Sequence, residues 1–413
     1  MDSEKKSKKH ILVVAQRVPF PPNKGEKLRT YYQIRWFVKQ GYHITVAAPL
    51  TNSKDYQDLC DLRDQLNVDI LWANLMPKPL RLFRGLLKGK ALSEANFYSK
   101  KLQKALIKQS ECTHIDAVLL TASSLYCYSK GLEVPTIMDF MDLDSEKWCK
   151  YAAKANWAMR WLYKRETKKI SQLERQAVNE CEACLLISEA EIERMQEMHS
   201  NLKLSNVYSL GNGIDTKAFY PAPKETHTNE KKGPVLLFVG VMDYLPNVEA
   251  VLWFTENVWP KLKSEQSNAQ LIIAGMNPTP AIQALAKKTG VQVTGFVDEI
   301  LPYFHQADFF IAPFQMACGV QNKILQAFAC GLPTLSTKAG IEGIEACHSG
   351  VHYVPTNTAQ EFLDAIQNLW TNSTKRSEIG QNAHTLIQEH YSWTAQLTSL
   401  QQIIQKLIPC ENN

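Results

Sequence analysis

No apolar run in this chain is long enough to cross a bilayer as a helix. The start, MDSEKKSKKH, is polar and passes straight into the short stretch Ile11 to Ala15, so no signal peptide is expected. The ten cysteines form no pairing pattern. Only Cys181 and Cys184 make a Cys-x-x-Cys, and with no second pair and a buried-strand pattern at Ala183 to Ser188 it reads as packing rather than zinc or redox chemistry. Reduced thiols in a cytoplasm are the expectation. The chain also lacks a nucleic-acid motif and an aromatic stacking platform among its basic residues, which sets nucleic acid aside as a partner.

What is present is an uneven charge. The net +5 divides into 35 Lys and Arg against 25 Asp and Glu over residues 1–224, giving +10, and 11 against 16 over residues 225–413, giving −5. Two basic stretches carry large apolar neighbours: Leu75 to Leu92, with Lys78, Arg81, Arg84, Lys88 and Lys90, and Trp157 to Ile170, with Arg160, Trp161, Lys164, Arg165, Lys168 and Lys169. That mixture suits a helix lying on an anionic membrane. It equally suits an amphipathic helix packed on its own sheet with a solvated outer face.

At 413 residues the chain exceeds one ordinary core and predicts two or three domains. Strand-like runs alternate with helical patterns: His10 to Ala15, His43 to Ala48, Asp69 to Ala73, Ala117 to Leu120, Val134 to Met138 and Cys184 to Ile187, then Pro234 to Gly240, Ala269 to Gly275, Gln292 to Gly295, Phe309 to Pro313, Pro333 to Ser336 and His352 to Val354. Such alternation predicts an α/β fold of two doubly wound, Rossmann-like domains with a central cleft. The boundaries expected are 1–210 and 211–389, with a polar loop at Tyr220 to Gly233 and a C-terminal helix over 390–413 packing back on the first domain.

Residues 308 to 336 read as strand, glycine turn, amphipathic helix from Val320 to Cys330, Gly-Leu-Pro stop and second strand. Lys323 falls in the helix's first turn, against the positive end of the dipole, a position that makes sense if an anion such as phosphate sits there. Gln326 lies one turn on and can both donate to and accept from hydroxyls beside that anion. An ordinary surface Lys and Gln is the other reading. In the first half, Gly25 opens a helix where backbone can approach a ligand, and Arg29 on that helix is a candidate phosphate contact or a solvated face residue. Asp139, Asp142 and Asp144 follow a strand. Clustered carboxylates raise one another's pKa and suit one of them to take a proton from a hydroxyl. Asp142-x-Asp144 also imitates a metal-holding pair, and capping of the helix beginning near Ser145 by one or two of the three is the structural alternative.

Four stretches together resemble a known family: Arg17 to Arg29 (RVPFPPNKGEKLR), Met138 to Trp148 (MDFMDLDSEKW), Gly240 to Ala250 (GVMDYLPNVEA) and Gly319 to Gly331 (GVQNKILQAFACG). They resemble family 4 glycosyltransferases of the two-Rossmann-domain, GT-B type, most nearly the sugar transferases of exosortase/PEP-CTERM exopolysaccharide systems. The resemblance implies donor contacts from Gly25, Arg29, Asn212 within Gly211 to Asp215, Gly240, the base-binding turn with Phe296 and Val297, and Gly319, Val320, Gln321, Asn322, Lys323 and Gln326. It implies acceptor contact or base catalysis from Asp142, where Met141 replaces the family's His. Three further departures stand out. Met242 replaces a usual Arg, and Cys318 and Gln326 occupy the positions of the usual glutamate pair.

The resemblance implies transfer of a hexose from a nucleotide-diphosphate sugar to a lipid-linked or polysaccharide acceptor. No cofactor or metal is expected, and the setting is cytoplasmic, peripheral on the inner face of the membrane. A nucleotide-sugar 2-epimerase of the same architecture and a non-catalytic nucleotide-sugar-binding scaffold are the alternatives.

Overall fold

The computed structural model describes residues 8–22, 25–223, 233–316 and 320–408. Cys318 and Gly319, and residues 224–232 of the expected loop, lie outside them. The chain divides into two compact units: Met1–Asn212 with Gln396–Asn413, and Gly213–Ala395.

The first unit holds seven strands: β1 (His10–Val14), β2 (His43–Leu50), β3 (Asp69–Asn74), β4 (Ala117–Thr121), β5 (Thr136–Met141), β6 (Ala183–Leu186) and β7 (Val207–Ser209). They pair in parallel in the order β3-β2-β1-β4-β5-β6-β7. HILVV in β1 and AVLLT in β4 are buried at every position. A strand without a solvent face needs cover on both sides, which is why these strands read as apolar runs rather than alternations.

The second unit holds β8 (Val235–Val239), β9 (Gln270–Ala274), β10 (Val291–Gly295), β11 (Phe309–Ala312), β12 (Thr334–Ser336) and β13 (Val354–Pro355), again parallel, in the order β10-β9-β8-β11-β12-β13. In both sheets the chain works outward from a central strand and then returns to its other side, between β1 and β4 and between β8 and β11. Loops leaving the carboxyl ends of such a pair diverge and leave room for a ligand.

The structure departs from the sequence reading at four places. β7 was not anticipated; three residues are too few to show a period. β5 runs to Met141, beyond the expected end at Met138, which draws Asp139 into the sheet. The helix expected over Val320 to Cys330 spans Asn322–Ala329. The C-terminal helix expected from residue 390 starts at Trp393 and runs to Leu407, after a helix Ser373–Leu386 and a π turn at Ile387–Tyr391. The break falls at Ser392, whose backbone is extended and whose Oγ accepts from Ala395 N at 3.1 Å, restarting the helix as an N-cap does.

Candidate functional site

In the second unit the carboxyl ends of β8 and β11 carry the side chains of interest. β8 ends into Gly240, and the helix Leu245–Asn257 follows with Asn247 buried in its first turn. A Cβ on Gly240 would lie 2.7 Å from Asn247 Nδ2, and one on Gly275, which has φ +142°, would lie 1.8 Å from the Gly240 carbonyl oxygen. The loops after β8 and β9 therefore touch backbone to backbone, and only glycine fits. Asn247 Nδ2 donates to the Val241 carbonyl at 2.9 Å, which fixes the amide and turns its oxygen toward the helix Asn322–Ala329.

That oxygen accepts from Lys323 Nζ at 2.5 Å. The ammonium lies 4.8 Å from the Phe314 ring centre and 5.6 Å from that of Phe238. Among the described residues no carboxylate pairs with it. Burial pushes Lys323 down to about 8 from 10.5. A cation held by one neutral amide and two ring faces, at a helix start with no side-chain cap, is charge looking for an anion. A phosphate there would meet the ammonium and the first backbone N–H groups together. Val320, Gln321 and Gln326 are half-buried around the same helix start and first turns, while Asn322 is exposed.

Gly295, at φ +68°, turns the chain at the end of β10, where Phe296 is 68% exposed and Val297 half-buried. Its carbonyl accepts from Gly275 N at 3.2 Å, tying this turn to the glycine contact. Met242 is fully buried, so the loop after β8 presents no side chain where the resembling enzymes place an arginine. Gly319 and Cys318 lie outside the described residues. Sequence reasoning missed Phe238, Gly275, Asn247 as a partner of Lys323, and Phe314. Phe314 and Gly275 directly follow or nearly follow strand ends, and that position was the signal available.

In the first unit the structure separates the three aspartates. Asp139 is fully buried and accepts from Arg29 Nε at 2.7 Å and Arg29 Nη2 at 2.9 Å, and from Gln33 Nε2 at 2.6 Å and Met141 N at 3.1 Å. Arg29, 1% exposed, also donates to the Leu210 carbonyl and, at 3.4 Å, to Asn212 Oδ1. This corrects the sequence reading of two residues: Asp139 is saturated by donors rather than open as a base, and Arg29 is engaged inside the first unit rather than offered to a phosphate. Asp144 accepts from Ser123 Oγ at 2.8 Å and pairs with Lys147.

Asp142 alone is open. It is exposed, among the described residues no donor reaches it, and partial burial first, then Glu191 and Asp144, hold its pKa above the ordinary carboxylate value. It follows Met141, a non-glycine residue at φ +64°, and β4 beside it ends at Thr121, before Ala122 at φ +84°. Backbone held in such sparsely populated conformations at adjacent strand ends is a mark of functional sites. Gly25 opens the helix Gly25–Lys39 as its first residue.

Two parallel Rossmann-like units, each with its reversal in strand order, make this a GT-B fold. Solved structures with it cover both units: HepE of Anabaena in complex with UDP (13% identity, 96% of this chain and 100% of that one, TM-score 0.66) and sucrose-phosphate synthase of Thermosynechococcus elongatus (14%, 97% and 99%, TM-score 0.63). Residues 233–372, all in the second unit, match the family model of glycosyl transferases group 1. A stretch of 164 residues is 29% identical to an uncharacterized 44.6 kDa protein in the cps region of Klebsiella pneumoniae, covering 38% of this chain and 42% of that protein.

Proposed function

We propose that the protein is a glycosyltransferase that moves a hexose from a nucleotide-diphosphate sugar to a lipid-linked or polysaccharide acceptor, working in cell-surface glycan synthesis. The observation that carries this is Lys323, a desolvated ammonium without a carboxylate partner among the described residues, at the strand-order reversal of a glycosyl transferases group 1 domain. HepE binding UDP supports a nucleotide donor, and the partial likeness to a cps-region protein accords with the glycan setting.

The donor's diphosphate would lie between Lys323 and the start of its helix. As the glycosidic bond to phosphate breaks, negative charge grows on the leaving oxygens, and a fixed cation and N–H groups in a place poor in water stabilise it. Phe296, exposed at the end of β10, would meet the base, and Gln326 the ribose hydroxyls. Lys323 supplies the charge that a divalent ion supplies in other transferases, so we infer a metal-independent reaction that retains configuration, of the family 4 kind. Asp142, the open carboxylate, would contact the acceptor hydroxyl; should the product be inverted, it is the base. The site of action is the cytoplasmic face of the membrane.

Incubation with UDP-, GDP- and ADP-sugars and a lipid-phosphate acceptor tests this. Expected is release of one nucleoside diphosphate in step with glycosylated product, unchanged by EDTA, and a fall of roughly 10²–10³ for Lys323→Met. Nucleotide-sugar binding without turnover on any acceptor would favour a scaffold, and a change of the sugar without transfer an epimerase.

A further inference from the structure

The helix Lys78–Leu87 is built inside out. An amphipathic helix on a soluble domain turns its apolar stripe inward. Here the inward residues are Arg81 and Gly85, one turn apart, both buried. Arg81 donates to Asn96 Oδ1 at 3.0 and 3.2 Å and to the Met76 carbonyl at 2.8 Å. Gly85 sits so close to the helix Leu92–Phe97 that a Cβ would fall 2.2 Å from Ala95 Cβ. With that face fixed, the outer face carries Leu80, Phe83 and Leu87, at 48%, 59% and 71% exposure, among Lys78, Arg84 and Lys88.

A second element of the same unit repeats the arrangement. The helix Trp157–Glu180 begins with Trp157 at 86% and Trp161 at 64% exposure, and its next turns continue the stripe with exposed Lys164 and Lys168. The second helix is tied to the segment that directly follows the first. Glu166 accepts from Leu92 N at 2.8 Å and Ser93 N at 2.7 Å, and Arg165 Nη2 donates to the Lys90 carbonyl at 2.8 Å. The acidic residues at this junction, Glu94 and Glu166, are buried and engaged, so the charge left outside is positive.

We propose that these two helices dock the first unit on an anionic lipid bilayer, Leu80, Phe83, Leu87, Trp157 and Trp161 entering the headgroup boundary while Lys164, Lys168 and their neighbours meet lipid phosphate. Exposed aromatic and leucine side chains ringed by cations fit a surface that is apolar inside and negative outside, and a protein partner would have to reproduce both. This gives the membrane setting of the proposed function its surface, and it rests on no part of the donor site.

The protein is floated with phosphatidylcholine vesicles, with and without phosphatidylglycerol, alongside Phe83→Ser/Leu87→Ser, Trp157→Ala/Trp161→Ala and Lys164→Glu/Lys168→Glu. Expected is binding to the anionic vesicles, reduced roughly tenfold or more in each double variant, while nucleotide-dependent thermal stabilisation stays as in the wild type. Wild-type protein that ignores anionic vesicles at low salt overturns the proposal, as do variants that float unchanged. Concentration-dependent self-association lost in the Phe83/Leu87 variant, without vesicle binding, would assign the face to a second copy and overturn it too. Anionic-vesicle binding by a wild-type protein that no nucleotide stabilises would sink the donor reading and bear this one out.

Discussion

Three aspartates within six residues have three different fates, and each was decided by neighbours distant in the chain. Asp139 meets Arg29 across 110 residues, and Ser123 reaches Asp144 from the loop after β4. Removing one partner of a buried ion pair strands the other, so Asp139→Asn should cost on the order of 3–5 kcal/mol in urea unfolding. Asp142→Asn should leave the unfolding midpoint nearly unchanged and lower turnover through its contact with the acceptor, by roughly 10²–10⁴ in the inverting case where it is the base. Equal loss of stability in both would refute this division of roles. The composition of the cluster was legible in the sequence. Its division was not, because it depends on how far β5 runs and on what packs against it. Lys323 was legible for a local reason, a cation placed against its own helix dipole, whereas the amide and two rings that hold it come from other segments.

Among the elements, the buried strands were readable because a strand covered on both faces prints as an apolar run. The helix Lys78–Leu87 was readable as amphipathic but not in its direction. Periodicity gives a stripe without saying which way it faces, and only Gly85 against Ala95 turns it outward. The junction of the helices Asp144–Lys154 and Trp157–Glu180 holds a testable group. Glu174 is fully buried and accepts from Ser145 N at 3.0 Å, and burial raises its pKa from 4.5 to about 7. Between those values the folded state holds a proton that the unfolded chain has released, so stability falls as pH rises through the window. Glu174→Gln, which keeps the acceptor, should stabilise the protein at pH 8 by on the order of 1–3 kcal/mol and do little near pH 4. Urea unfolding at the two pH values checks it, and an equal effect at both would count against a buried, protonated carboxyl.

For the molecule as a whole, the proposed function draws on both Rossmann-like units, one carrying the open Asp142 and the basic apolar face, the other the desolvated lysine. Because Lys323 titrates near 8 when free, nucleoside diphosphate affinity should weaken as pH rises past that value and the ammonium is lost. A flat profile from pH 7 to 9.5 would contradict this assignment. The same desolvation makes Lys323 a cost to the ligand-free fold, so Lys323→Met should raise the melting midpoint of the free protein even as it removes the anion site. The most direct measurement is therefore a thermal-shift series of wild type and Lys323→Met at pH 7 with UDP, GDP and ADP. One nucleotide is expected to raise the wild-type midpoint and to leave the variant, itself more stable when free, unmoved. A variant that is less stable when free and still responds to the nucleotide as wild type does would contradict it.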